Sequence, residues 1–299
     1  MSVQPMAVRQ LHPLAFTMLV VLSGCGSTGR SEPTDGGTTP PPPTVDEMPD
    51  PGHVIGKGGN DPDAPDQPTK PTPVTGHGFV TMRTVPIDGT TLSAAFWNGP
   101  DVDDGLDSDG CRLGRPPTVP EGATLLDAGD IDIFSKHLNI RLEFGGPAKG
   151  YEPKSIERPA ADDATFVSAF ALSPATVPDF GGRLEPMPEP SLVTSADDGV
   201  EAASSLSVAW QSIPKAARFT VVLEGAITSV ACVVPGTATE LAISAARVQA
   251  VTSHPKMLGQ CPSCVTLTVE ARSEVVVTAG KYAVALRDEN ARSVTLAVK

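Results

Sequence analysis

Val265-Thr266-Leu267-Thr268-Val269, near the C-terminal end of the chain, alternates apolar and hydroxyl-bearing side chains. Because successive side chains of a strand point to opposite faces, this alternation predicts a strand with one buried and one solvated face. The same period of two recurs at residues 206–210, 219–223, 230–234, 275–277, 282–286 and 294–298. Turn sequences such as Glu224-Gly225 and Ala279-Gly280 separate the runs, and only residues 241–251 indicate a short helix. The pattern predicts an antiparallel β-sandwich over residues 186–299.

About seven strands in roughly 110 residues is the size of one sandwich module. In this strand pattern residues 186–299 resemble immunoglobulin-like and fibronectin-like domains. The resemblance is one of pattern only, because the cysteines and tryptophans lack the spacing of antibody domains.

Residues 77–185 carry a second set of strand signals. Residues 79–82 and 90–97 flank a turn at residues 86–89, and residues 139–144 alternate around Ile140 and Leu142. Polar loops at residues 99–121 and 145–164 separate these runs, and a proline-rich link follows at residues 186–199. The predicted fold class is therefore all-β, with two β-sandwich, immunoglobulin-like domains at 77–185 and 186–299.

The N-terminus has the layout of an export signal. Arg9 is followed by an apolar run from Leu14 to Leu22, about half the length of roughly twenty residues that a membrane-spanning helix needs. Leu22-Ser23-Gly24-Cys25 resembles the lipobox of bacterial lipoproteins, and each residue matches that pattern. The resemblance implies cleavage of a leader at residues 1–24 and a diacylglyceryl thioether, with further acylation, on Cys25. An ordinary secretory signal that ends in a cysteine is the alternative.

Residues 25–76 form the next segment, which is rich in Pro, Gly and Thr and has Pro40 to Pro43 in a row. Beyond Cys25 it contains no Leu, Phe, Tyr or Trp. Such a composition buries too little apolar surface to offset the entropy of ordering, so it predicts a disordered tether. The lipobox resemblance also implies outer-membrane sorting, because Gly26 stands where aspartate favours inner-membrane retention.

The composition limits the function classes. Hydrophobic residues make up 40% of the chain and aromatic residues only 4%, so the predicted core consists mainly of aliphatic side chains. The net charge of -13 disfavours nucleic acid as a partner. The sequence contains no GxSxG, HExxH or glycine-rich phosphate loop, and His77, His137 and His254 are scattered. These observations favour a protein that is not an enzyme, although a carboxylate-based hydrolase leaves little sequence trace.

Four cysteines remain after Cys25, which is an even number in a chain predicted to be exported. Disulfides are expected in an oxidising compartment, and four cysteines allow three pairings. Cys261 with Cys264 is favoured because closing a short loop costs little entropy, which leaves Cys111 with Cys232. The Cys261-Pro-Ser-Cys264 motif could instead serve redox chemistry or zinc, but a redox site needs an α/β context and zinc needs two more ligands.

An acidic loop runs from Asp101 to Gly110 and offers Asp101, Asp103, Asp107 and Asp109 as calcium ligands. Calcium prefers several carboxylate oxygens on a loop that glycine allows to curl. The register fails the helix-loop-helix calcium motif, because Pro116 stands where a bidentate glutamate belongs. A solvated acidic loop without a metal is the alternative, and calcium is the one cofactor that the sequence suggests.

Trp97 and Trp210 are candidate platforms for carbohydrate stacking. Trp210 ends an alternating strand on its apolar side and Trp97 precedes a loop, so structural packing is the favoured interpretation of both.

Together these features predict a lipoprotein anchored in the outer membrane, on the cell surface or the periplasmic face. Its predicted role is that of a non-catalytic structural or binding module. The predicted partners are the membrane, through the lipid anchor, and an envelope protein or polysaccharide. The alternatives are a calcium-dependent adhesion module and an extracytoplasmic hydrolase.

Overall fold

The computed structural model describes residues 73–86, 88–160, 162–170, 175–194 and 199–299. The predicted leader, Cys25 and residues 26–72 of the predicted tether lie outside the described residues. The regular structure of the described part consists of strands and one short helix, which confirms the all-β class. No helix in this part of the chain is long and apolar enough to cross a membrane.

The strands, in chain order, are β1 (Gly76–Val85), β2 (Gly89–Asn98), β3 (Cys111–Leu113), β4 (Asp130–Phe134), β5 (Asn139–Leu142), β6 (Lys154–Ile156), β7 (Thr165–Phe170), β8 (Phe180–Leu184), β9 (Leu206–Ala209), β10 (Arg218–Glu224), β11 (Ser229–Pro235), β12 (Glu240–Ile243), β13 (Lys256–Leu258), β14 (Cys261–Ala279) and β15 (Tyr282–Ala297). The helix α1 (Ala245–Thr252) begins inside the segment 241–251 that the sequence indicates and ends one residue beyond it.

The largest sheet has the order β3-β11-β10-β14-β15-β1-β2-β6, and β13 pairs with β14 near its start. β1 and β2 form the hairpin that the sequence predicts. One pairing differs from the antiparallel prediction, because β1 runs parallel to β15 with Gly76 opposite Tyr282. The first strand of the described part is therefore paired with the last one.

Two hydrophobic cores lie along this sheet. The first core is enclosed between β15, β1 and β2 on one side and a separate sheet of order β5-β4-β7-β8 on the other. Its largest buried side chains include Phe96, Ile131, Ile133, Leu142 and Tyr282, all less than 2% exposed.

The second core lies at the other end of the large sheet. It is built from β10, β11 and the first half of β14, and the β12-β9 pair and α1 contribute to it. Trp210 is 2% exposed and packs against Phe219 with ring centroids 5.1 Å apart, which confirms the prediction that it belongs to a core.

The β14–β15 hairpin serves both cores. Its pairing runs from Cys264 opposite Ala297 to Ala279 opposite Tyr282, and Gly280 makes the turn with a φ of +59°. The sequence pattern divides each strand into two runs because polar residues interrupt the alternation at 270–274 and 287–293. In the structure each strand continues through its polar stretch, where Glu270 and Glu289 are buried in ion pairs.

The continuous hairpin changes the domain organisation. The boundary predicted between residues 185 and 186 does not divide the large sheet, because strands from both sides of it are paired. All described residues fall in one compact unit. The described body thus has two cores and one shared sheet in place of two sandwiches joined by a link.

Candidate functional site

The outward face of the β5-β4-β7-β8 sheet carries an unexpected group of aromatic residues. Three of the nine phenylalanines in the sequence lie on it, Phe134 on β4 and Phe166 and Phe170 on β7. Strand alternation places them there, because Ile131 and Ile133 occupy the inward positions of β4 and are completely buried. Phe170 is 54% exposed. Phe134 and Phe166 are half-buried and stack on each other with ring centroids 5.7 Å apart.

The strand register arranges this face in three rows that cross the sheet. The first row contains Asn139, Phe134, Phe166 and Arg183. The second row contains Arg141, Asp132, Ser168 and Gly181. The third row contains Asp130 and Phe170. Rows on one face lie two residues apart, so the phenylalanines of the outer rows stand about 13 Å from each other on either side of the middle row.

The middle row is low at its β7 and β8 positions. Ser168 and Gly181 are small, and a side chain at Gly181 would stand 3.2 Å from the carbonyl oxygen of Val167. A shallow cavity of about 560 Å³ results, lined by Asp132, Phe134, Asn139, Arg141, Ser168 and Phe170. We call this cavity the trough. Its floor is polar, and its walls combine the rings of Phe134 and Phe170 with the amide of Asn139.

An ion pair fixes one end of the floor. The guanidinium of Arg141 donates to both carboxylate oxygens of Asp132, at 2.7 and 3.0 Å, and to Asp130 at 3.3 Å. The hydrogen bonds and the negative charge of Asp132 raise the pKa of Arg141 above its ordinary value. A two-point pair of this kind holds both side chains in a defined plane.

The trough offers both donors and acceptors of hydrogen bonds. Arg141 donates hydrogen bonds, Asp132 accepts them, and the Asn139 amide and the Ser168 hydroxyl can do both. No histidine, cysteine or lysine stands in the three described rows, and the carboxylate opposite Ser168, that of Asp132, is held by Arg141. The arrangement suits a ligand with polar edges and apolar faces. Sequence reasoning missed one signal. Phe134, Phe166 and Phe170 alternate with the buried residues of their strands, so their side chains face outward.

A second cleft, of about 580 Å³, opens beside Arg158 and Asp288. Asp288 is completely buried, and its Oδ2 atom accepts from Arg158 at 2.7 Å and from the backbone N–H of Met187 at 2.6 Å. Burial raises the pKa of Asp288 to about 6. Its Oδ1 atom has less than 1 Å² of accessible surface, so the carboxyl group holds the segment around Met187 in place and is closed to ligands.

The predicted calcium ligands are distributed along the acidic loop. Asp107 and Asp109 both accept hydrogen bonds from Arg247 of α1, at 2.7 to 2.8 Å, while Asp101 and Asp103 bond to backbone N–H groups of their own loop. The guanidinium of Arg247 lowers the pKa of Asp109. Among the described residues no group of three or more His, Cys, Asp or Glu side chains converges as a metal site would require.

The four cysteines of the described part are paired as Cys111–Cys232 and Cys261–Cys264, which confirms the favoured pairing. Cys111 lies on β3 at the edge of the large sheet and Cys232 on β11 directly opposite. The first bond therefore fixes the long loop after β2 to the second core. Cys261 and Cys264 lie within strand β14 and not at the start of a helix, where a thioredoxin-type redox motif would stand.

Trp97 is buried and belongs to a small cluster with Phe79 on the opposite face of the large sheet. Its indole N–H donates to the carbonyl oxygen of Pro100 at 2.9 Å, and its ring stacks with His77 at 6.3 Å. This environment confirms a packing role, and neither tryptophan offers a stacking platform.

Comparisons with known proteins give little further guidance. No protein-family model and no curated protein matches the sequence. One solved structure with some similarity is the tetra-tandem repeat in the extending region of a large adhesion protein, at 14% sequence identity and a TM-score of 0.19. The match covers 74% of this chain and 49% of that one, so the chain spans about half the length of the structure that it matches.

Proposed function

We propose that this protein is a lipoprotein of the bacterial outer membrane, held by acyl chains on Cys25. Its body acts as a non-catalytic structural or binding module. The match of residues 22–25 to the lipobox supports the anchor. Several acyl chains hold a protein to a membrane far more durably than a single chain does. Residues 26–72 would then separate the body from the lipid surface.

The cysteine arrangement is the observation that carries this proposal. The sequence contains five cysteines, and the four of the described part form two disulfides. Paired cysteines are typical of proteins that fold outside the reducing cytoplasm. The remaining one, Cys25, is the residue whose sulfur the lipobox chemistry requires.

The trough supports binding over a purely structural role. Phe170 is 54% exposed and lines one cavity together with Phe134 and four polar side chains, an arrangement that suits a ligand. Its groups point to non-covalent recognition, which agrees with a non-catalytic module. The carboxylates Glu270 and Glu289 lie buried among arginines and away from the trough, and they do not form a hydrolytic pair at its floor.

The anchor is tested by mass spectrometry of the mature N-terminus after expression in a bacterium that processes lipoproteins. We expect Cys25 as the first residue, with the added mass of diacylglycerol and an acyl chain, and partition into the detergent phase. The variant Cys25→Ala, or treatment with globomycin, should leave the leader uncleaved. Ser27→Ala is the matched control and should be processed normally. An unmodified first residue, or a leader still attached in untreated cells, would overturn the proposal.

A further inference from the structure

We propose that the trough on the outward face of the β5-β4-β7-β8 sheet binds an uncharged polysaccharide chain, with sugar rings lying between Phe134 and Phe170. The inference rests on the proposed binding role and adds its ligand class. It depends on the arrangement of rows across the sheet and not on the lipid anchor.

The shape of the trough favours an extended ligand. Its lining residues come from three adjacent strands, β5, β4 and β7, spaced about 4.8 Å apart, so it crosses them over roughly 10 Å. The next position of the middle row, on β8, is Gly181, which has no side chain to close that end. A linear chain can therefore continue past the sheet, whereas a compact metabolite would leave most of the open trough unfilled.

The chemistry of the walls and floor favours sugars. A sugar ring presents carbon–hydrogen faces and hydroxyl edges, and aromatic rings bind the first while planar polar groups bind the second. The Arg141–Asp132 pair is held in one plane by two hydrogen bonds. The side chains of Asn139 and Ser168 make no hydrogen bond to other described residues, so they are available to a ligand.

The distribution of polarity argues against a protein partner at this site. Energetic centres of protein interfaces are desolvated and enriched in Trp, Tyr and Arg, whereas Asp and Ser are depleted in interfaces. The middle row of the trough holds Asp132 and Ser168, which are depleted residue types, and the outer rows combine Phe134 and Phe170 with the polar Asn139 and Asp130.

Charge identifies the class of polysaccharide. Arg141 and Arg183 in the three rows are balanced by Asp130 and Asp132. A strongly anionic chain would meet the two carboxylates together with the net charge of -13 of the whole protein. An uncharged chain experiences neither penalty.

Affinity electrophoresis tests the inference with the full-length protein in detergent. The probes are the soluble uncharged polysaccharides dextran, galactomannan, xyloglucan and hydroxyethyl cellulose, with polygalacturonate as the anionic comparison. We expect at least one uncharged probe to retard the protein and polygalacturonate not to. Phe170→Ala should weaken the retardation about tenfold through loss of aromatic contact. Ser168→Tyr, which fills the trough from an outward position, should abolish it.

Ile227→Ala is the matched control, because Ile227 is 78% exposed in the β10–β11 turn, and it should leave the retardation unchanged. The inference is overturned if no uncharged probe retards the protein. It is equally overturned if Phe170→Ala and Ser168→Tyr both bind like the parent, or if this face captures an envelope protein and no polysaccharide. Each of these results leaves the N-terminal mass of Cys25 unaffected, so failure here is distinguishable from failure of the anchor.

Discussion

Arg83 of β1 donates two hydrogen bonds, at 3.1 and 2.7 Å, to one carboxylate oxygen of Glu270 on β14. The pair reaches across β15, which lies between these strands. Arg83 also lies 3.5 Å from Glu289, whose carboxylate pairs with Arg272. This cluster of two arginines and two glutamates occupies the stretch of the hairpin between the two cores, where apolar packing is interrupted.

Removal of Arg83 should destabilise the fold. Glu270 is 5% exposed, and a buried carboxylate that loses its partner costs about 3 kcal/mol, reduced somewhat here because the Arg83 side chain is 35% exposed. We therefore expect Arg83→Ala to lower the free energy of unfolding by about 2–3 kcal/mol in urea denaturation. Arg292→Ala breaks a half-exposed pair with Glu189 and should cost less than about 1 kcal/mol. Equal losses in the two variants would contradict this account.

The same cluster predicts an unusual pH dependence. Burial, reinforced by the charge of Glu289, raises the pKa of Glu270 to about 7. An acid whose pKa is higher in the folded state binds its proton more tightly there, so its stabilising contribution is complete at low pH. That contribution is lost as the pH rises from about 4.5 through 7. Asp288, with its pKa raised to about 6, acts in the same direction.

Urea denaturation at pH 5 and pH 7.5 measures this effect. We expect a larger free energy of unfolding at pH 5, other groups being equal, and a smaller difference in Glu270→Gln, which stays neutral at both values. Glu274→Gln on the same strand is the control, because Glu274 is 30% exposed and pairs with Arg287 at the surface. If Glu270→Gln has the same pH slope as the parent, the raised pKa is refuted.

The two disulfides should contribute unequally to stability. Cys111–Cys232 spans 121 residues, and a loop of that size implies about 4–5 kcal/mol in the chain-entropy model. Cys261–Cys264 spans three residues and implies about 2 kcal/mol. The double variant Cys111→Ala/Cys232→Ala should therefore show the larger fall in midpoint on thermal or urea unfolding. A larger effect of Cys261→Ala/Cys264→Ala would reverse the order and contradict the prediction.

Arg247 should control the acidic loop. Because its guanidinium lowers the pKa of Asp109, Arg247→Ala should raise that pKa towards the ordinary aspartate value in an NMR titration. Arg218→Ala, which releases Asp104, is the control and should leave Asp109 unchanged.

Calcium would have to compete with Arg247 for Asp107 and Asp109. We therefore expect calcium, relative to a chelator, to leave the melting temperature of the parent protein unchanged. A clear rise in the melting temperature with calcium would favour the adhesion module that remains the alternative.

Much of the fold is predictable because it is local. The β1–β2 hairpin follows from alternation around one turn, and the short helix from residues 241–251. The disulfide pairing follows from the short Cys261–Cys264 loop, which leaves a single partner for Cys111. Each of these features depends on neighbours in the chain or on simple elimination.

The shared sheet and the trough are not local. In the sequence, Glu270 and Arg272 resemble the polar end of a strand. In the structure, Arg83 of β1 pairs with Glu270, and Glu289 of β15 pairs with Arg272, so the charges are neutralised within the sheet. The rows of the trough depend on which residue of β4 faces which residue of β7, and alternation within one strand does not give that register. Sequence reasoning sought aromatic platforms at tryptophans, whereas the structure exposes phenylalanines.

The parallel pairing of β1 with β15 has a consequence for how the molecule is made. Gly76 lies opposite Tyr282, so β1 gains its neighbour on that side only after β15 has been synthesised. Contacts so far apart in sequence slow folding, and the nascent chain stays without its first core until the terminal hairpin has emerged.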